Sequence, residues 1–176
     1  MSDSPISLAL QRAEEAFAQK PGLALQNDAP AKAVFVGGLA TQVAGPAGHT
    51  VGTDMPVTLG GAGACPGPGW LMRAGLASCT ATVIAMRAER LGIRLTRLAV
   101  TANSRSDARG LLGVDPLVAA GPLEVNLDID IAADGQTPES LAELVAWADA
   151  HSPVTNALRR AIDVQSQVRY GAITPA

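Results

Sequence analysis

Two cysteines are the residues of this 176-residue chain best suited to covalent chemistry, and their settings differ. Cys79 falls inside WLMRAGLASCTATVIAMRAERLG, a stretch of helical length. It shares a line with Met72, Leu76, Val83 and Met86, which recur at spacings of four and three. Periodicity alone therefore reads Cys79 as a small, inert core residue. Cys65 sits in the loop LGGAGACPGPG, just ahead of a helix predicted to start at Pro68. A helix dipole there favours a thiolate, and the plain alternative is a tolerated loop residue. No bond between the two is expected within one chain. Cys79 lies eleven residues into the predicted helix, about 16 Å along its axis, whereas a disulfide needs Cα atoms within about 7 Å.

Other chemistries have less support. No Gly-x-Ser-x-Gly elbow occurs, and His49 and His151 are the only histidines. The glycines at 60, 61 and 63 do not continue as a dinucleotide fingerprint, because Pro66 and Pro68 interrupt. They read as a tight loop. The cysteines and histidines lack zinc-ligand spacing, so neither a metal nor a cofactor is expected. Asp128 and Asp130 share the wet face of one strand, as solvated strand faces usually do.

The elements that must position these residues are legible from patterning. Residues 5–18 predict an amphipathic helix, and 19–31 a polar connector. AKAVFVGGLATQVAG reads as strand, turning at Gly45-Pro46-Ala47-Gly48 into HTVGTD. The helix from Pro68 should stop at Gly92, and it carries no charge from Ala74 to Met86, which predicts a buried central helix. Residues 95–106 predict a strand. PLEVNLDIDI alternates Leu123, Val125, Leu127, Ile129 and Ile131 with polar residues, a strand with one buried face. Thr137-Pro138 and Ser152-Pro153 each cap a helix, the first to about Ala150 and the second to about Ile162. Val164, Ser166, Val168 and Tyr170 alternate as a last strand. Hairpins with long helices predict an α+β fold, helices packed on one face of a largely antiparallel sheet.

Composition sets the class. At 48% hydrophobic, the chain can bury a sizeable core, and its length suits a single domain over 1–176. A net charge of -3 leaves no basic field for nucleic acid or an anionic membrane. No apolar run approaches the roughly 20 residues of a membrane span. The N-terminus lacks the grammar of a signal peptide, so a soluble cytoplasmic protein with reduced thiols is expected.

GG-x-G-x-x-P-x-P followed by LMRAGLASCTATVIAMRAERLGI, and later PESLAELVAWADAHSPVTNAL, resemble the two characteristic blocks of the OsmC/Ohr family. That family is named for osmotically inducible protein C and organic hydroperoxide resistance protein. The resemblance covers roughly residues 32–170 and leaves the N-terminal helix and connector, 1–31, outside. It implies an obligate, intertwined homodimer whose central helices are buried between the sheets of both subunits. It also implies a thiol peroxidase: a peroxidatic Cys in the central helix attacks a hydroperoxide, a second Cys resolves the sulfenic acid, an Arg and a Glu activate the first thiol, and a thiol reductant restores the enzyme.

On that resemblance Cys79 takes the peroxidatic place. The other parts depart. The resolving Cys-Pro is Ser152-Pro153, the Glu after the helix-start Pro is Gly69, and no Arg occurs from Ala13 to Met72. Arg73 and Arg87 are the candidate substitutes for the activating Arg, and Cys65 for the resolver across the dimer. Two functions follow as expectations. One is a one-Cys reduction of organic hydroperoxides through Cys79. The other is a non-catalytic dimeric protein of the same fold that binds a small apolar ligand.

Overall fold

A computed structural model describes residues 4–160 and 162–171. Helix α1 (Pro5–Gln19) opens the chain. Three strands follow, β1 (Lys32–Gly37), β2 (Ala40–Ala44) and β3 (Thr50–Thr53), paired antiparallel in that order. The long helix α2 (Pro68–Leu91) leads to β4 (Leu95–Arg105), the single turn α3 (Ala108–Leu111) and β5 (Glu124–Ala133). Helices α4 (Pro138–His151) and α5 (Pro153–Arg159) close the sequence of elements.

The run read as one strand, AKAVFVGGLATQVAG, is a hairpin. Gly37 and Gly38 both have positive φ, 131° and 56°, and reverse the chain between β1 and β2. The turn at Gly45–Gly48 is where the sequence puts it, between β2 and β3. Every residue from Lys32 to Val36 is exposed, so nothing among the described residues covers either face of β1.

β4 and β5 solve the same problem differently. They pair antiparallel, with Val100 opposite Ile129 and Leu98 opposite Ile131. The alternation of β5 puts Val125, Leu127, Ile129 and Ile131 on the covered face, and Glu124, Asn126, Asp128 and Asp130 in solvent. Leu123, at the head of the predicted alternation, lies outside the strand and is exposed. α2 and α4 lie over the covered face, where Ile84, Ala88, Leu144 and Ala148 form the buried core.

α2 starts with Pro68 in its first turn and ends at Gly92, whose φ of 67° supplies the left-handed cap. Its fully buried line is Leu76, Thr80, Ile84 and Ala88. The line read from periodicity is rotated from this one: Leu76 is common to both, Cys79 and Val83 are half-buried, and Met86 is exposed. With Ala, Ser and Thr on several faces, the helix carries no charge contrast between Ala74 and Met86 to fix its rotation. Neighbouring elements choose it instead. Ser78 and Thr82 are exposed in the single chain.

Two boundaries at the C-terminal end differ from expectation. α5 stops at Arg159 rather than near Ile162. Val164–Tyr170 forms no strand and is exposed. An alternating segment becomes a strand only when a sheet edge gives it hydrogen bonds, and this one pairs with none of the described strands. α1 lies on α2, where Arg90 reaches Glu14 at 2.8 Å and the Ser7 hydroxyl at 3.3 Å. That guanidinium holds the Glu14 carboxyl below the usual carboxylate range. No helix among the described residues is long and apolar enough to cross a membrane.

Candidate active site

The corner between α4 and α5 is built by one residue with two jobs. Ser152 ends α4 and caps α5. Its hydroxyl accepts the Thr155 backbone N–H at 3.4 Å, the N-cap bond expected of Ser-Pro at a helix start. The Asn156 side-chain amide donates to the carbonyls of Ala150 and Ser152, both at 3.0 Å, and staples the corner shut.

This corner packs on α2, where Cys79 sits. The Ser152 hydroxyl donates to Cys79 Sγ at 3.4 Å. Ser152 is fully buried, Thr155 nearly so, and Cys79 is half-buried. The Thr155 hydroxyl donates in turn to Ser152 Oγ at 3.0 Å. A chain of two hydroxyls therefore ends on the sulfur. Thr155 was not singled out from the sequence, although its place, third after an N-cap serine, is a signal that was available.

A cavity of about 430 Å³ opens beside the corner. Its wall includes Leu76, Leu127, Val145, Thr155 and Leu158, with Arg159 and Asp149 also lining it. Those two ionic groups hold each other, Arg159 Nη1 lying 2.7 Å from the Asp149 carboxylate. The cavity thus combines an apolar wall with one self-paired charge couple.

Cys65 lies elsewhere. It is exposed, and its Sγ sits against β3, where a Cβ added at Gly52 would fall 2.8 Å away. Both cysteines are free thiols. The loop carrying Cys65 is organised by Asp54, which is buried and accepts the backbone N–H groups of Met55 at 2.7 Å, Ala62 at 3.0 Å and Ala64 at 3.2 Å. These bonds, the one from Ala64 foremost, hold its carboxyl below the usual carboxylate range. A Cβ at Gly61 would overlap the Met55 carbonyl oxygen, so only glycine fits there. An aspartate ahead of a Gly-rich loop is a signal that sequence reading passed over.

The candidate arginines are engaged away from the sulfur. Arg73 donates to the Ser104 hydroxyl at 3.0 Å. Arg87 lies 4.5 Å over the Trp147 ring, which stacks on His151 at 4.0 Å. Among the described residues, neither arginine bonds Cys79. Gly69, at the place of the family's Glu, offers no carboxylate.

The OsmC-like protein family matches residues 60–167, more than half of the chain, and this stretch holds both cysteines and Ser152. The chain belongs to the OsmC-like protein family. Solved structures of the family share its fold. An organic hydroperoxide resistance protein OsmC from Legionella pneumophila is 26% identical, with 77% of this chain and 91% of that chain covered and a TM-score of 0.57. An OsmC-like protein from Mycoplasma pneumoniae gives a TM-score of 0.65 at 17% identity over 77% of this chain and 89% of that one. An organic hydroperoxide resistance protein from Elizabethkingia anophelis, with thiocyanate bound, gives 0.58 at 22% identity over 77% and 90%. No curated protein matches the chain.

Proposed function

We propose that this OsmC-like protein is a one-cysteine thiol peroxidase that reduces organic hydroperoxides at Cys79 in the cytoplasm. The observation that carries the reading is the bond from the Ser152 hydroxyl to Cys79 Sγ, 3.4 Å long. It sets a non-thiol partner against the sulfur at the position where the family resemblance has a resolving Cys.

The chemistry balances without that second cysteine. The Cys79 thiolate attacks the distal oxygen of R–O–O–H, the O–O bond breaks, and the alkoxide leaves and takes a proton from water. Cys79 is left as a sulfenic acid. Ser152 has no thiol with which to capture it. A small external thiol therefore condenses with the sulfenic acid, giving a mixed disulfide and water, and a second thiol releases Cys79 as its thiol together with the external disulfide. The apolar side of the neighbouring cavity, Leu76, Leu127, Val145 and Leu158, suits the organic part of such a peroxide.

The working unit in this reading is a homodimer. Val34, Phe35, Val36 and Leu39, on β1 and its turn into β2, are 48%, 69%, 59% and 47% exposed, with no layer of the described residues over them. A second copy that covers them buries well over the ~2,000 Å² at which obligate interfaces begin. Light scattering at micromolar concentration tests this, and a monodisperse monomer overturns it. Cys65 is the remaining thiol in the chain, and across such a dimer it is the one group left to act as a substitute resolver.

Peptide mass spectrometry after treatment with an organic hydroperoxide tests the chemistry. The expected product is Cys79 carrying one added oxygen, convertible to a mixed disulfide by a small thiol, with no intrachain disulfide. If Cys79 stays reduced where a free thiol in solution is oxidised, the second reading takes over. That reading is a non-catalytic dimer whose 430 Å³ cavity holds a small apolar ligand, and the cavity's apolar wall is the feature that favours it.

A further inference from the structure

We propose that Thr155 is a positioning residue for the Cys79 thiolate, fixing the proton of the Ser152 hydroxyl on the sulfur. The inference rests on the reading of Cys79 as the reacting thiol.

The argument is a count of donors and acceptors. A serine hydroxyl has one hydrogen to give and two lone pairs with which to accept. At Ser152 both acceptor positions are taken by the same neighbour. The Thr155 backbone N–H donates from 3.4 Å and the Thr155 hydroxyl from 3.0 Å. Ser152 is fully buried, so no water competes for it. Its one hydrogen then has a single remaining direction, toward Cys79 Sγ at 3.4 Å. Were Thr155 to lose its hydroxyl, a lone pair of Ser152 Oγ would fall vacant. The serine could then rotate and accept a proton from a neutral Cys79 thiol instead of donating to the sulfur.

A hydroxyl locked in the donating orientation favours the thiolate, because a hydrogen bond to a charged acceptor is stronger than one to its neutral form. This matters more here than at a site with an activating cation. Several ionisable groups on the surrounding elements meet partners other than the sulfur: Arg159 pairs with Asp149, His151 stacks on Trp147, Arg73 donates to Ser104 and Arg87 lies over Trp147. Cys79 also lies in the middle of α2, outside the first-turn range over which a helix dipole acts. Among the described residues, the hydroxyl chain is what donates a side-chain hydrogen bond to the sulfur.

The test follows alkylation of Cys79 by iodoacetamide, site by site, by peptide mass spectrometry. Thr155→Val keeps the shape of the side chain and removes the hydroxyl, while Thr155→Ser keeps the hydroxyl. At neutral pH, Thr155→Val should slow the reaction about tenfold, the size expected when one hydrogen bond to a charged group is lost. Thr155→Ser should restore the native rate. At a pH high enough to ionise any thiol, all three proteins should converge. An equal rate in Thr155→Val and the native protein overturns the proposal, and so does a slowing that is the same at every pH, which reports access alone. Should Thr155→Val not fold, Ser152→Ala carries the same comparison, and a native rate in it is equally fatal. A native Cys79 that alkylates only after denaturation also overturns the proposal. Peroxide oxidation is measured separately on the same proteins. If alkylation behaves as described while peroxide leaves Cys79 reduced, the peroxidase reading fails and the role of Thr155 stands.

Discussion

The two cysteines occupy regions organised in opposite ways. Around Cys65 a buried carboxylate gathers backbone N–H groups and shapes the loop, but none of those bonds goes to the thiol, which is exposed. Around Cys79 a helix corner directs two hydroxyls, Thr155 and Ser152, in series onto the sulfur. The loop invests its polar contacts in backbone geometry, whereas the corner directs them at a reactive atom. Under the proposed chemistry, exposure is a poor guide to which thiol is the working one. The more accessible sulfur lies against Gly52, and the half-buried one has a hydrogen-bond donor.

The largest effect that separates the regions is on turnover. Cys79→Ser should reduce peroxide consumption with a small-thiol reductant to the uncatalysed background, and Cys65→Ser should leave most of it. A loss of equal size in both variants breaks the contrast and makes Cys65 a resolver across the dimer. Next in size is a gain of chemistry at the corner. Ser152→Cys should form a disulfide to Cys79 on mild oxidation, since a contact of 3.4 Å needs to close only to about 2 Å. Intact mass before and after alkylation reads this, and a protein with two free thiols at these positions after peroxide treatment counts against it.

A smaller effect sharpens the loop side. Asp54→Ala should speed amide exchange at Ala62 and Ala64, which lose their acceptor, and leave the alkylation rate of Cys79 unchanged. In the native protein the same amides report pH. The folded-state carboxyl of Asp54 is lowered, so its contribution is complete above the unfolded value of about 4 and disappears as pH falls through the lowered folded value. Amide protection lost at neutral pH instead would contradict the assignment. The smallest effect concerns Arg87, stacked 4.5 Å over Trp147. Arg87→Ala should cost about 0.5–1 kcal/mol in chemical denaturation and should not alter alkylation of Cys79, because its guanidinium does not bond the sulfur.

Much of this molecule was determined by sequence alone. Pro68 and Gly92 delimit α2, the alternation of Val125, Leu127, Ile129 and Ile131 defines the covered face of β5, and Ser152-Pro153 specifies a helix start. These signals are local: a fixed φ, a left-handed cap, a period of two and a side chain that satisfies its own backbone. The family could be read as well, because its two blocks are short runs of residues. Tertiary structure decided the rest. The rotation of α2 is not encoded by a helix uncharged over 13 residues, so which line is buried depends on α4, α5 and β4. The segment Val164–Tyr170 has the pattern of a strand but pairs with none of the described strands. Thr155 acquires its meaning only when α5 is laid against α2, since 73 residues separate Ser152 from the sulfur its hydroxyl meets. Local propensity fixes where an element begins and which face is apolar, but a hydrogen bond between distant side chains exists only once packing has brought them within 3.5 Å.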